Sequence, residues 1–201
     1  KKVTNEKITL YCGFDPSADS LHLGNLLPII TLKRFQKMGH NVIPLAGGAT
    51  GMIGDPTGRS DERNLLTDEI LFKNTEGIKK VLSKFIDLDE KNVLVNNYDW
   101  TKNLNTIDFL RDYGKYFNIN YMLAKDSVKS RLENGLTYTE FSYMILQAMD
   151  FEYLYKNYNC ILQIGGQDQW GNITAGFELI RKVHGENKAF ALTIPLLLKS
   201  D

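Results

Sequence analysis

The sequence predicts an α/β protein with a mostly parallel sheet and covering helices. Short apolar runs alternate along the chain with longer segments of helical period. The runs at 8–14, 41–45, 92–95 and 160–164 read as strands, and each gives way to a cluster of Asp, Asn, Gln or Gly. Open α/β sheets hold their ligands at the carboxyl ends of the strands, so the active site is expected along that edge.

The elements follow in order. The first strand, 8–14, ends in Asp15-Pro16-Ser17-Ala18-Asp19-Ser20, a turn-rich stretch suited to capping a helix over 22–38, which Gly39 stops. The second, 41–45, runs into the glycine-rich stretch from Gly47 to Gly58, a candidate ligand loop. A helix over 67–85 carries lysines on its outer face, and the strand 92–95 leads into Asn96-Asn97-Tyr98-Asp99-Trp100. Segments 104–117, 121–132 and 138–150 read as helices inserted before the strand 160–164, forming a connecting subdomain over about 101–155. After Gly165-Gly166-Gln167-Asp168-Gln169-Trp170 come a helix to about 184 and a final strand, 191–197. There is no internal repeat, and 1–201 reads as one domain.

Composition narrows the function classes. Of 201 residues, 43% are hydrophobic and 24% charged, which is ordinary globular usage. Lys plus Arg equals Asp plus Glu at 24 each, so no global positive field draws the chain to nucleic acid or an anionic membrane. Cys12 and Cys160 form no Cys-x-x-Cys pair, which points to neither a zinc site nor a disulfide framework and suggests a reducing, cytoplasmic setting. No apolar run approaches the roughly 20 residues that span a bilayer, and the first residues lack a signal peptide's apolar stretch. A protein without a membrane partner or a resident metal is expected.

The clusters suggest chemistry. His22-Leu23-Gly24-Asn25 opens a helix whose free N–H groups and dipole favour phosphate, and Gly24 lets a flat ring approach the backbone. His22 either donates to the same phosphates or merely caps its own helix. The glycine loop matches neither the Gly-x-x-x-x-Gly-Lys-Ser/Thr phosphate loop nor the Gly-x-Gly-x-x-Gly fingerprint. It is either a tight connection needing positive φ or a ligand loop whose terminal Asp55 binds an ammonium. Tyr143, Gln147 and Asp150 share one helix face, a buried polar site or a solvated stripe.

Together the clusters resemble the bacterial-type tyrosyl-tRNA synthetases, which are class I aminoacyl-tRNA synthetases, over about 8–201. The resemblance rests on Tyr11-Cys12-Gly13-Phe14-Asp15-Pro16, His22-Leu23-Gly24-Asn25, Gly47-Gly48-Ala49-Thr50-Gly51 with Ile53-Gly54-Asp55-Pro56, Asn97-Tyr98-Asp99-Trp100, and Leu162-Gln163-Ile164-Gly165-Gly166-Gln167-Asp168-Gln169-Trp170-Gly171-Asn172. It implies a Rossmann-like parallel sheet and a catalytic domain that activates L-tyrosine with ATP and Mg²⁺, then charges tRNA(Tyr). Tyr11 and Asp150 would bind the phenol hydroxyl. Asp55, Tyr143 and Gln147 would hold the ammonium, with Gln163 nearby and Asn97 behind. Cys12, Gly13, Asp15, Gly24, Gly166 and Asp168 would contact the nucleotide, and Gln169 would lie near the reacting carboxyl. Ser17 and His22 would bind the terminal phosphates, reached also by Arg59 and Arg63 from a mobile basic loop.

The resemblance has two departures. Asn25 stands where the family's His-x-Gly-His signature ends in His, so an uncharged amide would serve the ribose. The chain reaches Leu198-Lys199-Ser200-Asp201 where the family continues into a second, lysine-rich signature loop and tRNA-recognising domains. These 201 residues are expected to bind tyrosine well and activate it poorly. The family also implies a homodimer, with its interface among apolar residues around 121–138. Three other readings are a tryptophan-specific synthetase, a nucleotidylyltransferase, and a non-catalytic tyrosine-binding or RNA-scaffold derivative. Tyr11 argues for a phenol over an indole, and the Gly165–Asn172 cluster argues against the nucleotidylyltransferase.

Overall fold

A computed structural model describes residues 2–57, 66–132, 135–185 and 189–197. The elements are α1 (Lys2–Asn5), β1 (Thr9–Phe14), α2 (Leu23–Lys37), β2 (Asn41–Ala46), α3 (Thr50–Ile53), α4 (Asp68–Phe85), β3 (Val95–Asn96), α5 (Tyr98–Thr101) and α6 (Thr106–Asp108), then α7 (Ile119–Leu123), α8 (Asp126–Leu132), α9 (Tyr138–Tyr158), β4 (Cys160–Gly166), α10 (Trp170–His184) and β5 (Phe190–Ile194). The five strands form one sheet in the order β3-β2-β1-β4-β5, with every neighbouring pair parallel. The order reverses between β1 and β4, which makes that junction the place where a crevice opens.

Alternation along β1 decides what the crevice contains. Leu10, Cys12 and Phe14 pack with Ile29 and Leu32 of α2 and Ile78 and Leu82 of α4. Tyr11 faces the other way and packs with Phe151 and Leu154 of α9 and Ile180 of α10. A one-residue slip would exchange the two sets.

Two helices start at threonine caps, and one ends at an asparagine. Thr67 caps α4 by accepting from Ile70 N at 3.4 Å, and Thr137 caps α9 by accepting from Glu140 N at 3.3 Å. Asn159 ends α9 in the left-handed region, at φ 51°.

Several boundaries differ from the sequence reading. The third strand is Val95–Asn96 rather than 92–95, because Asn92 turns its side chain onto neighbours instead of joining the ladder. It accepts from Val42 N at 2.9 Å and donates to Asp89 at 2.9 Å. The last strand stops at Ile194, where Pro195 offers no N–H to continue it. The expected helix over 104–117 is α6, a π-helical stretch Phe109–Tyr113 and a 3-10 turn Gly114–Tyr116, consistent with the poor helix propensity of Gly114. α9 runs on to Tyr158 because its second half, with Phe151 and Leu154 fully buried, packs beneath the sheet.

Candidate functional site

A cleft of about 480 Å³ opens at the carboxyl ends of β1 and β4. It is lined by Tyr11, Cys12, Gly13, Asp15, Ser17, His22, Gly24, Asn25, Asp55, Tyr143, Gln147, Asp150, Gln163, Gly166, Asp168 and Gln169, which the sequence singled out from segments far apart. Asn97 is fully buried behind the floor, touching Asp150. Arg59 and Arg63 lie outside the described residues. Burial grades through the cleft: Tyr11, Asp150 and Gln163 at the floor are buried, whereas Ser17, His22 and Asp168 at the mouth are exposed.

The floor is a hydrogen-bonded carboxylate facing unpartnered polar atoms. Asp150 accepts from Asn97 Nδ2 at 2.9 Å on one oxygen and from Trp100 Nε1 at 3.0 Å on the other. Trp100 is held by stacking on Tyr153, with ring centroids 4.2 Å apart. Burial pushes the Asp150 carboxyl up to about 7; the two donors pull it back and nearby Asp15 raises it further. The Tyr11 hydroxyl and Gln163 Oε1 are buried with no hydrogen-bond partner among the described residues. Burial first, then Asp150, holds the Tyr11 hydroxyl well above its ordinary range. Buried polar atoms are rarely left unmatched, so these point to a polar ligand group.

Above the floor, carboxylates alternate with their donors. Asp15 accepts from Thr50 Oγ1 at 2.6 Å and Tyr143 OH at 2.8 Å. Thr50 Oγ1 in turn accepts from Asn97 Nδ2 at 3.0 Å, which links Asp15 to the floor. Asp55 accepts from Gln169 Nε2 at 2.7 Å and Thr57 N at 2.9 Å. Burial and then Asp15 raise the Tyr143 hydroxyl well above its usual value. Burial likewise pushes the Cys12 thiol up to about 12, so it is a neutral lining group rather than a nucleophile.

The glycine loop earns its composition through close approach. A Cβ on Gly47 would fall on the Asp15 carboxylate and the Thr50 hydroxyl, and one on Gly48 would fall on the Asn96 amide. Among the loop's described glycines only Gly54, at φ 87°, needs the left-handed region, and it turns the chain out of α3 to present Asp55. No helix signal in the loop pointed to α3.

His22 performs the capping role. Its Nδ1 accepts from Gly24 N at 3.0 Å, while Asn25 Oδ1 accepts from His22 N at 3.2 Å, a reciprocal capping box. With Nδ1 engaged as acceptor, Nε2 is the nitrogen left to donate at the mouth. Thr50 and Trp100 are the site residues that sequence reasoning left without a role. A lone Thr carries no signal of its own, but an indole N–H in a polar cluster at a strand end is a donor in search of an acceptor. Among the described residues no group of three or more His, Cys, Asp or Glu side chains is arranged to hold a metal ion.

The fold and cleft define a Rossmann-like α/β protein with a polar cleft at the switch point of its sheet. Over residues 2–201 the chain matches the family described as tRNA synthetases class I (W and Y), and it belongs to that family. It is 57% identical over 201 residues to a tyrosine–tRNA ligase of Staphylococcus carnosus, covering 99% of this chain and 48% of that protein. It is 60% identical over 205 residues to tyrosine–tRNA ligase 1 of Bacillus subtilis, covering 100% and 49%. The chain thus spans about half the length of the curated relatives it matches. Its fold is similar to a C-terminally truncated mitochondrial tyrosyl-tRNA synthetase of Aspergillus nidulans, with a TM-score of 0.84 and 31% identity over 100% of this chain and 64% of that one.

Proposed function

We propose that this chain is the tyrosine- and ATP-binding catalytic core of a tyrosine–tRNA ligase, and that the whole protein activates L-tyrosine and transfers it to tRNA(Tyr). The observation that carries the reading is the floor: a buried Tyr11 hydroxyl without a partner among the described residues, facing a carboxylate held by Asn97 and Trp100. A phenol fits because its one oxygen accepts from Tyr11 and donates to Asp150. Phenylalanine would leave the buried Tyr11 hydroxyl unpaired and bring Asp150 no donor beyond Asn97 and Trp100, at about 1–3 kcal/mol for the unmatched hydroxyl. An indole N–H would satisfy Asp150 but offer Tyr11 no acceptor.

Asp55, Tyr143 and Gln147 then hold the ammonium, with Gln163 below. Gly13, Asp15, Gly24, Asn25, Gly166 and Asp168 receive the nucleotide, and Ser17 and His22 meet its terminal phosphates at the start of α2, where the helix dipole favours anions. Mg²⁺ accompanies ATP. A tyrosine carboxylate oxygen forms the new bond to the α-phosphorus while the bond to pyrophosphate breaks, so the protein supplies position and charge rather than a nucleophile. The exposed Tyr121, Leu132 and Tyr138 support a homodimer formed through the inserted helices, whereas Met122 and Val128 from the same stretch are core.

The test is calorimetric titration of the 201-residue chain with tyrosine, phenylalanine and tryptophan. Tyrosine is expected to bind with the other two rejected, and the preference is expected to vanish in Asp150→Ala. Equal binding of all three, or none, would sink the reading.

A further inference from the structure

The cleft is acidic as well as polar. Among its described lining residues are the carboxylates of Asp15, Asp55, Asp150 and Asp168, with no lysine or arginine. Its histidine, His22, is at the exposed mouth with one ring nitrogen already engaged. The groups packed around the floor carboxylate are Tyr11 from β1, Gln163 from β4, Asn97 and Trp100 from the β3–α5 corner, and Tyr143 and Asp15 further up. None of these is a cation.

Above the pH near 7 at which Asp150 ionises, that arrangement fixes the hydrogen count at the floor. Tyr11 brings one proton, and an ionised Asp150, already accepting two donors, brings none. A ligand oxygen lying between them must both accept and donate. Phenolate accepts from Tyr11 but meets Asp150 with no proton between two buried negative oxygens, a like-charge contact that burial makes worse. The protein's own phenols show the same environment: the hydroxyls of Tyr11 and Tyr143 are both held well above their ordinary range by burial and neighbouring carboxylates.

We propose that the cleft floor reads the protonation state of the ligand's aromatic hydroxyl, admitting the neutral phenol and refusing the phenolate and other rings that carry a negative charge at that position. The inference rests on the tyrosine reading and adds to it a chemical selectivity: tyrosines ionised at the ring are excluded by charge, independently of their size.

Fluorinated tyrosines test it, because ring fluorine brings phenol ionisation down from about pH 10 toward neutrality with little change in shape. Affinities of tyrosine and of 3-fluorotyrosine are measured by calorimetry on the 201-residue chain from pH 6.5 upward, and their ratio is followed. Protonation of Asp150 and of the ligand ammonium affects both ligands and largely cancels in the ratio. The ratio is expected to be level below the fluorinated phenol's pKa and to fall about tenfold for each pH unit above it, as only the neutral fraction binds. The series is repeated with 2-fluorotyrosine, so that a clash at one ring position does not decide the outcome. A ratio that stays level through phenol ionisation for both analogues overturns the proposal. Loss of tyrosine binding itself overturns the functional reading beneath it, and the two failures are distinct.

Discussion

At the residue scale, Asp150 is a carboxyl kept ready at a cost. Its pKa is raised in the folded protein from an ordinary value near 4 to about 7, so between those pH values the folded state binds a proton that the unfolded state has released. Stability contributed at this position therefore falls as pH rises from about 4 to 7. The stability difference between the wild type and Asp150→Asn, measured by denaturant unfolding, is expected to shift against the wild type by a few kcal/mol across that window and to level off above it. A pH-independent difference would mean that Asp150 is not destabilised by burial. Trp100 acts through this carboxyl. Trp100→Phe removes one donor to it, so the carboxyl should ionise at still higher pH, and the acid limb of tyrosine binding should move up by about one to two pH units. An unmoved limb would reduce Trp100 to packing against Tyr153.

At the element scale, the contest between propensity and contact is clearest at Gly77. It lies inside α4, where alanine is ordinarily favoured by about 1 kcal/mol. A Cβ there would run into the backbone carbonyl oxygen of Asp19, in the turn between β1 and α2. Backbone cannot step aside as a flexible side chain can, so Gly77→Ala is expected to lower stability by about 1–3 kcal/mol despite its better propensity. That turn is further fastened by Asn74 Nδ2 donating to Pro16 O at 3.1 Å, so loosening α4 should also weaken binding at Ser17 and His22. An unchanged or raised melting temperature would show that the turn yields.

At the scale of the whole molecule, the inserted helix α8 is tied to α9 by a buried ion pair. Arg131 of α8 donates to both oxygens of Glu140 on α9, at 3.1 and 2.9 Å, with the two side chains only 2% and 3% exposed. Because α9 also carries Tyr143, Gln147 and Asp150, the pair anchors the insertion to the helix that builds the site. Glu140→Ala leaves a buried guanidinium without its carboxylate and should cost about 3–5 kcal/mol. A loss below about 1 kcal/mol in thermal or denaturant unfolding would mean that water reaches the arginine.

Local sequence was enough to place the strands up to their ends and the polar clusters that follow β1, β2, β3 and β4, because period and turn chemistry act over a few residues, whereas the caps at Thr67 and Thr137 emerged with the structure. It also brought the cleft residues under one resemblance, while Arg59 and Arg63 lie outside what the structure describes. Local pattern could not show that Asn92 would leave its strand to hold Val42, or that α9 would continue to Tyr158; contacts from distant segments decide both. Nor could it choose between an α9 stripe that is solvated and one that is buried. Only the sheet order decided that, by setting Tyr11 on the face of β1 that meets α9 and closing Asn97 and Trp100 around Asp150. The shifted carboxyl and the unmatched hydroxyl arise there because burial belongs to the assembled fold and not to any stretch of sequence.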